Sequence, residues 1–380
     1  MKESRALFLW IFLLVIVSSP AYAAGRPEPE IQARAAIVMD VGSGRVLYDR
    51  NIHMRLSQAS TTKITTAILA LEKGNRKDRV RVSRHAAETG GSSIWLAEGE
   101  VHSLDDLVYA LMLDSANDAA VAIAEHVAGS EEAFVAMMNA KAKEIGAGDT
   151  HYANPHGLPD PEHYSSAYDL ALLSRYALQM PAFREIVQTR ERVIPWEGHE
   201  WSRLLQNING FLFGPRSYPG AIGVKTGYTQ EAGRCLVAAA SRDGWELIAV
   251  VLNSPDIYGE AASLLDYAFA SFRPVHLVSR GEVAAQVRVR QGYQEYAPVV
   301  TGEAVALPLP VGEDIPVERE VKVPPEIEAP VSQGEQVGTL VVSLKGEKVA
   351  EVPLAAARAV PRRSFWDWFL IGLKAILGLA

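Results

Sequence analysis

The stretch from Val224 to Leu252, VKTGYTQEAGRCLVAAASRDGWELIAVVL, decides how this chain is to be read. Val224–Thr229, Cys235–Ala240 and Glu246–Leu252 are short runs rich in apolar and β-branched residues, and Gly244 marks the turn between the last two, so three strands are predicted here. Strands also open the chain. Ala35–Met39 reads as one, Gly42-Ser43-Gly44 as a turn, and Arg45–Tyr48 as the hairpin return. Between these two strand regions the apolar residues recur at helical spacing. Thr61–Glu72 carries Ile64, Ile68, Leu69 and Leu71, and Ser103-Leu104-Asp105-Asp106 offers a capping box for a helix running through Leu107, Leu111 and Met112. That helix stops at Asp114–Asn117. Helices over Ala119–Val127 and Glu131–Ile145 follow, then a loop at Asn154–Gly157, then helices over Ala167–Leu178 and Ala261–Phe272. Strands at both ends with helices between predict an α+β unit over residues 24–273, an antiparallel sheet with an all-α insertion.

Beyond Pro274 the texture changes to short period-two segments broken by Gly and Pro: Gln286–Val289, Ala304–Leu307, Glu320–Val323 and Thr339–Leu344. This predicts a separate small all-β domain over 274–360. With 380 residues, 48% hydrophobic and 22% charged, the chain is long enough for two cores. Its net charge of −8 and the absence of a basic stripe exclude a nucleic-acid partner.

Both termini carry membrane signals. Lys2 and Arg5 precede the apolar run Ala6–Val17, and Ala21-Tyr22-Ala23 supplies a cleavage site, so residues 1–23 are expected to be an export signal. Residues 361–380 begin with Arg362-Arg363 and place Phe365, Trp366, Phe369, Leu370, Leu373, Ile376 and Leu377 on one broad face. A helix of that kind suits the surface of an anionic membrane better than its interior; the alternative is a helix docked on the protein's own surface or at an oligomer contact. The single cysteine, Cys235, forms no intramolecular disulfide and is expected to be a buried apolar filler.

Three short strings carry the chemistry. In Ser60-Thr61-Thr62-Lys63 the first and last residues share a helix face, so a hydroxyl and an amine can meet. Alone the string means little, because a chain of this length contains about one or two by chance. Ser115-Ala116-Asn117 lies in a tight connection between helices, where it either caps a helix or presents a hydroxyl and an amide to a cleft. Lys225-Thr226-Gly227 lies on a strand. Gly227 is costly there unless another backbone approaches closely, and a peptide pairing with the strand edge is one such reason.

Taken in this order, the three strings are the signature of the penicillin-recognising serine enzymes. Within that group the chain resembles the low-molecular-weight penicillin-binding proteins, the serine-type D-alanyl-D-alanine carboxypeptidases. The likeness includes Ala59–Lys63, Asn154–Leu158 and Lys225–Thr229 followed by Ala232-Gly233, together with the order of signal, β-domain and terminal amphipathic helix. It implies a β-lactamase/transpeptidase-like catalytic fold and a substrate ending in D-Ala-D-Ala, the peptidoglycan stem peptide, at the outer face of the cytoplasmic membrane. It further implies that β-lactams bind covalently. Ser60 is the implied nucleophile and Lys63 its base, with Ser115 relaying a proton and Asn117 holding the substrate backbone. Lys225 and Thr226 would bind the terminal carboxylate, and the backbone N–H groups of Ser60 and Tyr228, beside Gly227, would form the oxyanion hole. No metal or other cofactor enters this scheme; the nine histidines contain no H-E-x-x-H string.

Three other readings share parts of this pattern. A β-lactamase of the related class adds an E-x-x-x-N loop, but Glu162 is followed by His163, Tyr164, Ser165 and Ser166. An endopeptidase or transpeptidase would use the same residues. A non-catalytic wall-binding module would lack a nucleophile, whereas Ser60, Lys63, Ser115 and Lys225 are all present.

Overall fold

The computed structural model describes residues 27–196, 199–313, 315–367 and 369–370. The expected export signal and residues 371–380 of the expected terminal helix lie outside them. In chain order, β1 (Ala35–Asp40) and β2 (Val46–Arg50) precede a 3-10 turn (Ala59–Thr62) that runs directly into α1 (Lys63–Lys73). Then come β3 (Arg79–Arg81), α2 (Arg84–Ala87), β4 (Val101–Ser103), α3 (Leu104–Leu113), α4 (Asn117–Ala128), α5 (Glu131–Ile145), α6 (Ala167–Ala177) and α7 (Pro181–Gln188). The unit closes with β5 (Glu191–Pro195), β6 (Ser202–Gln206), β7 (Ala221–Thr229), β8 (Gly233–Arg242), β9 (Trp245–Leu252) and α8 (Ile257–Ser271).

Five strands form one antiparallel sheet in the order β2-β1-β9-β8-β7, which leaves β7 at an edge. Successive strand side chains point to opposite faces. In β8, Cys235, Val237 and Ala239 pack into the core shared with the middle helices, whereas Leu236, Ala238 and Ala240 pack under α8 with Leu264 and Leu265. Both faces being covered, the central strands β1, β8 and β9 are apolar almost throughout, which is why they stood out in the sequence. Helix starts are equally local. Ser103 accepts a hydrogen bond from Asp106 N, Ser130 from Ala133 N, and Ser166 from Asp169 N, each filling an orphan donor at a helix N-terminus.

The insertion is not purely helical. Arg79–Arg81 pairs with Val101–Ser103, and β5 pairs with β6 as a hairpin in a region where the sequence suggested no element. The hairpin alternates exposed and buried residues over only five positions, and what holds it is tertiary. Arg192 reaches Asp105 and Asp106 of α3, each at 2.9 Å, while Arg203 forms a forked pair with Glu100. A charge pair between distant segments leaves no periodic trace in a sequence.

Beyond α8 the chain enters a six-stranded sheet and a two-stranded one, with their own apolar clusters around Val287, Val299, Val342 and Val352. Four of its strands, Phe272–Val278, Tyr296–Thr301, Glu326–Glu328 and Glu347–Ala356, were not foreseen; the first, second and fourth each contain a proline, and the fourth also begins with charged residues. Among the described residues no helix is long and apolar enough to cross a membrane.

The edge strand β7 runs beside the 3-10 turn. A Cβ on Gly227 would fall 2.9 Å from Gln58 O and 3.0 Å from Ser60 N, so only glycine lets the two backbones approach this closely. Gly227→Ala is therefore expected to push strand and turn apart. Acylation by penicillin should slow about tenfold or more while the far-ultraviolet circular dichroism is retained. An unchanged acylation rate would show that this close approach does not position Ser60.

Candidate active site

Ser60 is carried by the 3-10 turn rather than by the α-helix, which starts at Lys63. Ala59 has φ +49, a conformation that an L-residue adopts at a cost, and neighbouring side chains hold it there. Thr61 Oγ1 donates to Gln58 O at 2.7 Å, Thr66 Oγ1 donates to Pro155 O at 2.6 Å, and Thr62 Oγ1 meets His163 Nε2 at 2.8 Å. Gly157, at φ +93, lies so close that a Cβ would sit 2.0 Å from Ala59 O. The Asn154–Gly157 loop thus acts as a brace under the turn.

Lys63 is completely buried. Its Nζ lies 3.0 Å from Ser60 Oγ, 2.6 Å from Asn117 Oδ1 and 2.7 Å from the carbonyl oxygen of His156. An ammonium would use all three of its protons on these acceptors. A neutral amine has two N–H bonds, enough for Asn117 and His156, and keeps a lone pair for the Ser60 hydroxyl proton. Burial, followed by repulsion from Lys225 and partly offset by Asp118, holds the Lys63 pKa well below the ordinary lysine value. The site therefore favours the form that can accept a proton.

Ser115 adopts φ +63 in the connection between α3 and α4, and Asn117 is the first residue of α4. Asn117 N donates to Ser92 O at 2.7 Å and Nδ2 to Gly90 O at 2.7 Å, which ties the Gly90–Ser92 loop to the same corner. Asp118 extends the tie by accepting from Ser93 Oγ at 2.6 Å and from Leu96 N at 3.0 Å. None of these loop residues drew attention in the sequence; the Gly90-Gly91 pair was the one local signal that could have marked them.

Lys225 is 1% exposed, and its Nζ donates to Thr226 O at 3.2 Å. Burial draws its pKa down to about 7, partly opposed by Asp114. Ser60, Ser92 and Ser115 on one side and Thr226, Gly227 and Tyr228 on the other line a cleft of about 570 Å³, which neither Lys63 nor Lys225 lines. Tyr228 is 66% exposed at its rim. Cys235 is fully buried, and its thiol is pushed up to about 11 by that burial.

Residues 22–256 match the D-alanyl-D-alanine carboxypeptidase family, and residues 272–362 match the C-terminal domain of penicillin-binding protein 5. The chain belongs to the D-alanyl-D-alanine carboxypeptidase family. It is 38% identical to D-alanyl-D-alanine carboxypeptidase DacF of Bacillus subtilis, over 96% of each chain. Penicillin binding protein 5 from Haemophilus influenzae superposes with a TM-score of 0.75 at 28% identity, covering 89% of this chain and all of that one. A variant of a Streptomyces DD-transpeptidase superposes with a TM-score of 0.60 at 32% identity, over 64% of this chain and 100% of that one. The α+β catalytic fold followed by a β-domain, and the serine-type carboxypeptidase class, both stand.

In a member of this family a buried lysine under the cleft lowers stability as well as serving the site. Between about 7 and its ordinary value of 10.5, Lys225 holds fewer protons folded than unfolded, so its contribution to stability rises with pH across that window. Lys225→Met should consequently be more stable than wild type at about pH 6, with the difference narrowing at about pH 9. Urea unfolding at both pH values measures this. A difference that does not change with pH would mean that the amine is not buried as a charge.

Proposed function

We propose that Ser60 is the nucleophile of a carboxypeptidase that releases the terminal D-alanine from stem peptides ending in D-Ala-D-Ala, with Lys63 as its base. The 3.0 Å approach of a fully buried amine to the Ser60 hydroxyl carries this reading. The Ser60 proton passes to Lys63 Nζ as Oγ attacks the carbonyl carbon of the penultimate D-alanine. The oxyanion formed is received by the backbone N–H groups of Ser60 and Tyr228, on the turn and the edge strand that Gly227 allows to lie together. As the peptide bond breaks, the proton on Lys63 passes through the Ser115 hydroxyl to the departing amine, leaving an ester on Ser60. Water then attacks the ester, giving its proton back through Lys63.

Asn117 positions both Lys63 and the substrate backbone, and Thr226 faces the departing residue. Lys225 acts from under the floor of the cleft, keeping Lys63 neutral. Among the described residues, the walls of the cleft contain no carboxylate to activate water quickly, which favours a long-lived penicilloyl ester over β-lactamase turnover. The likeness to a DD-transpeptidase supports a second reading in which an amine takes the place of water as acceptor.

Ser60→Ala should release no D-alanine and gain no mass from benzylpenicillin, while Lys63→Met should acylate about 10²–10⁴-fold more slowly. A D-alanine assay and intact-protein mass spectrometry measure both. Undiminished release by the Ser60 variant would eliminate it as nucleophile.

The enzyme works outside the cytoplasm after export, held at the membrane surface by its C-terminal segment. Phe365, Trp366, Phe369 and Leu370 are exposed on a helical segment next to Arg362 and Arg363. That pairing of apolar and basic groups suits an anionic leaflet. Full-length protein should float with vesicles containing anionic lipid, and Phe365→Asp with Phe369→Asp should abolish flotation. Flotation of the double variant at the wild-type level would place the attachment elsewhere.

A further inference from the structure

Outside the cleft, Trp95 carries the most exposed large apolar side chain among the described residues, at 80%. Its neighbours Ile94 and Leu96 are buried, and Trp95 itself sits at φ +62, where a bulky residue is rarely found. Hydrogen bonds hold that conformation from both ends. Trp95 N donates to Ser93 Oγ at 2.8 Å, and Trp95 O accepts from Arg203 Nη2 at 2.9 Å. Strain of this kind persists only where the surroundings over-determine it, and it collects where ligands are held.

Arg203 ties this loop to the β5–β6 hairpin, whose outward face is also apolar. Val193 and Leu204 stand opposite each other there, both exposed, and Trp201, just before β6, is 71% exposed. Ile208 follows the hairpin, is exposed, and lines the cleft. Apolar side chains left open as a group, rather than singly, mark an interaction surface.

The direction of the substrate says what reaches this surface. In the reading above, Thr226 faces the departing residue and Asn117 holds the backbone, so the acyl half leaves the cleft past Asn117 and the Gly90–Ser92 loop bonded to it. Ser92 lines the cleft, and Trp95 follows three residues later, at most about 10 Å further along the chain. In a five-residue stem, three residues lie between the penultimate D-alanine and the sugar that carries the stem. Extended, they too span about 10 Å.

We infer that Trp95 is a stacking platform for the amino-sugar strand of peptidoglycan, continued by Trp201 and the outward face of the hairpin, so that the enzyme favours stems still attached to glycan. The C–H face of a pyranose ring is flat and apolar, and an indole offers a matching rigid surface with few rotamers to lose. This inference rests on the carboxypeptidase reading. It extends the recognised substrate from the stem peptide to the strand that bears it.

The test compares a disaccharide-pentapeptide with the same pentapeptide carrying an N-acetyl group in place of the sugar. The wild type should show about tenfold higher kcat/KM on the sugar-bearing substrate, chiefly through KM, because the added contact is made in the ground and transition states alike. In Trp95→Asn that ratio should fall to about one, and Trp95→Phe should keep part of it. Asparagine tolerates positive φ, so the first variant removes the indole without adding strain. A ratio of about one in the wild type, as expected if the patch served a protein partner instead, or an undiminished ratio in Trp95→Asn would overturn the assignment. Saturation-transfer NMR with the hexamer of N-acetylglucosamine examines the platform without any cleavage: transfer to the sugar is expected from the wild type and should be lost in Trp95→Asn. If the wild type released no D-alanine from either substrate, the carboxypeptidase reading would fall, and the NMR pair would still decide the role of Trp95. No transfer from the wild type, or equal transfer from the variant, would refute it.

Discussion

The catalytic unit is organised around one buried amine. Lys63 Nζ meets a hydroxyl, a side-chain amide and a main-chain carbonyl within 3.0 Å, and these come from the turn before α1, the start of α4 and the loop after α5. A charge in that position would be costly to desolvate, and a second ammonium nearby makes it costlier. The same surroundings favour a neutral amine beside the Ser60 hydroxyl, which is what the proposed mechanism asks of Lys63. Stability is given up where chemistry is gained, as is usual at active sites.

Much of the remaining architecture serves to keep that point fixed. The Asn154–Gly157 loop braces the turn from below, and Thr61 of the turn and Thr66 of α1 anchor it by their hydroxyls. The sheet, packed on both faces, holds its edge strand against the same turn. The cleft is thus the seam between a helical layer and a sheet edge, a place where a peptide can add alongside β7. The two-residue period sorts the side chains of that strand: Lys225 turns inward beneath the floor, and Thr226 lies on the opposite face and lines the cleft.

Legibility in the sequence followed locality. The central strands β1, β8 and β9 could be read because both of their faces are buried, and the starts of α3, α5 and α6 because serine caps act within one turn. The β5–β6 hairpin and the Pro-containing strands of the β-domain could not, since they depend on ion pairs and neighbours far away in the chain. Ser60, Lys63, Ser115, Asn117 and Lys225 were found through three strings whose order carried more information than any one of them.

The sequence by itself determined the inventory: which hydroxyls, amines and amides exist, which segments are strands or helices, and that the chain belongs among the penicillin-recognising serine enzymes. Only the tertiary structure decided what state those groups are in. Burial, which draws down the pKa of Lys63 and hides Lys225 beneath the cleft, is set by residues tens of positions away. Whether an arginine has a partner is likewise a question about the whole molecule, because partners are assigned by the packing of layers and not by spacing along the chain.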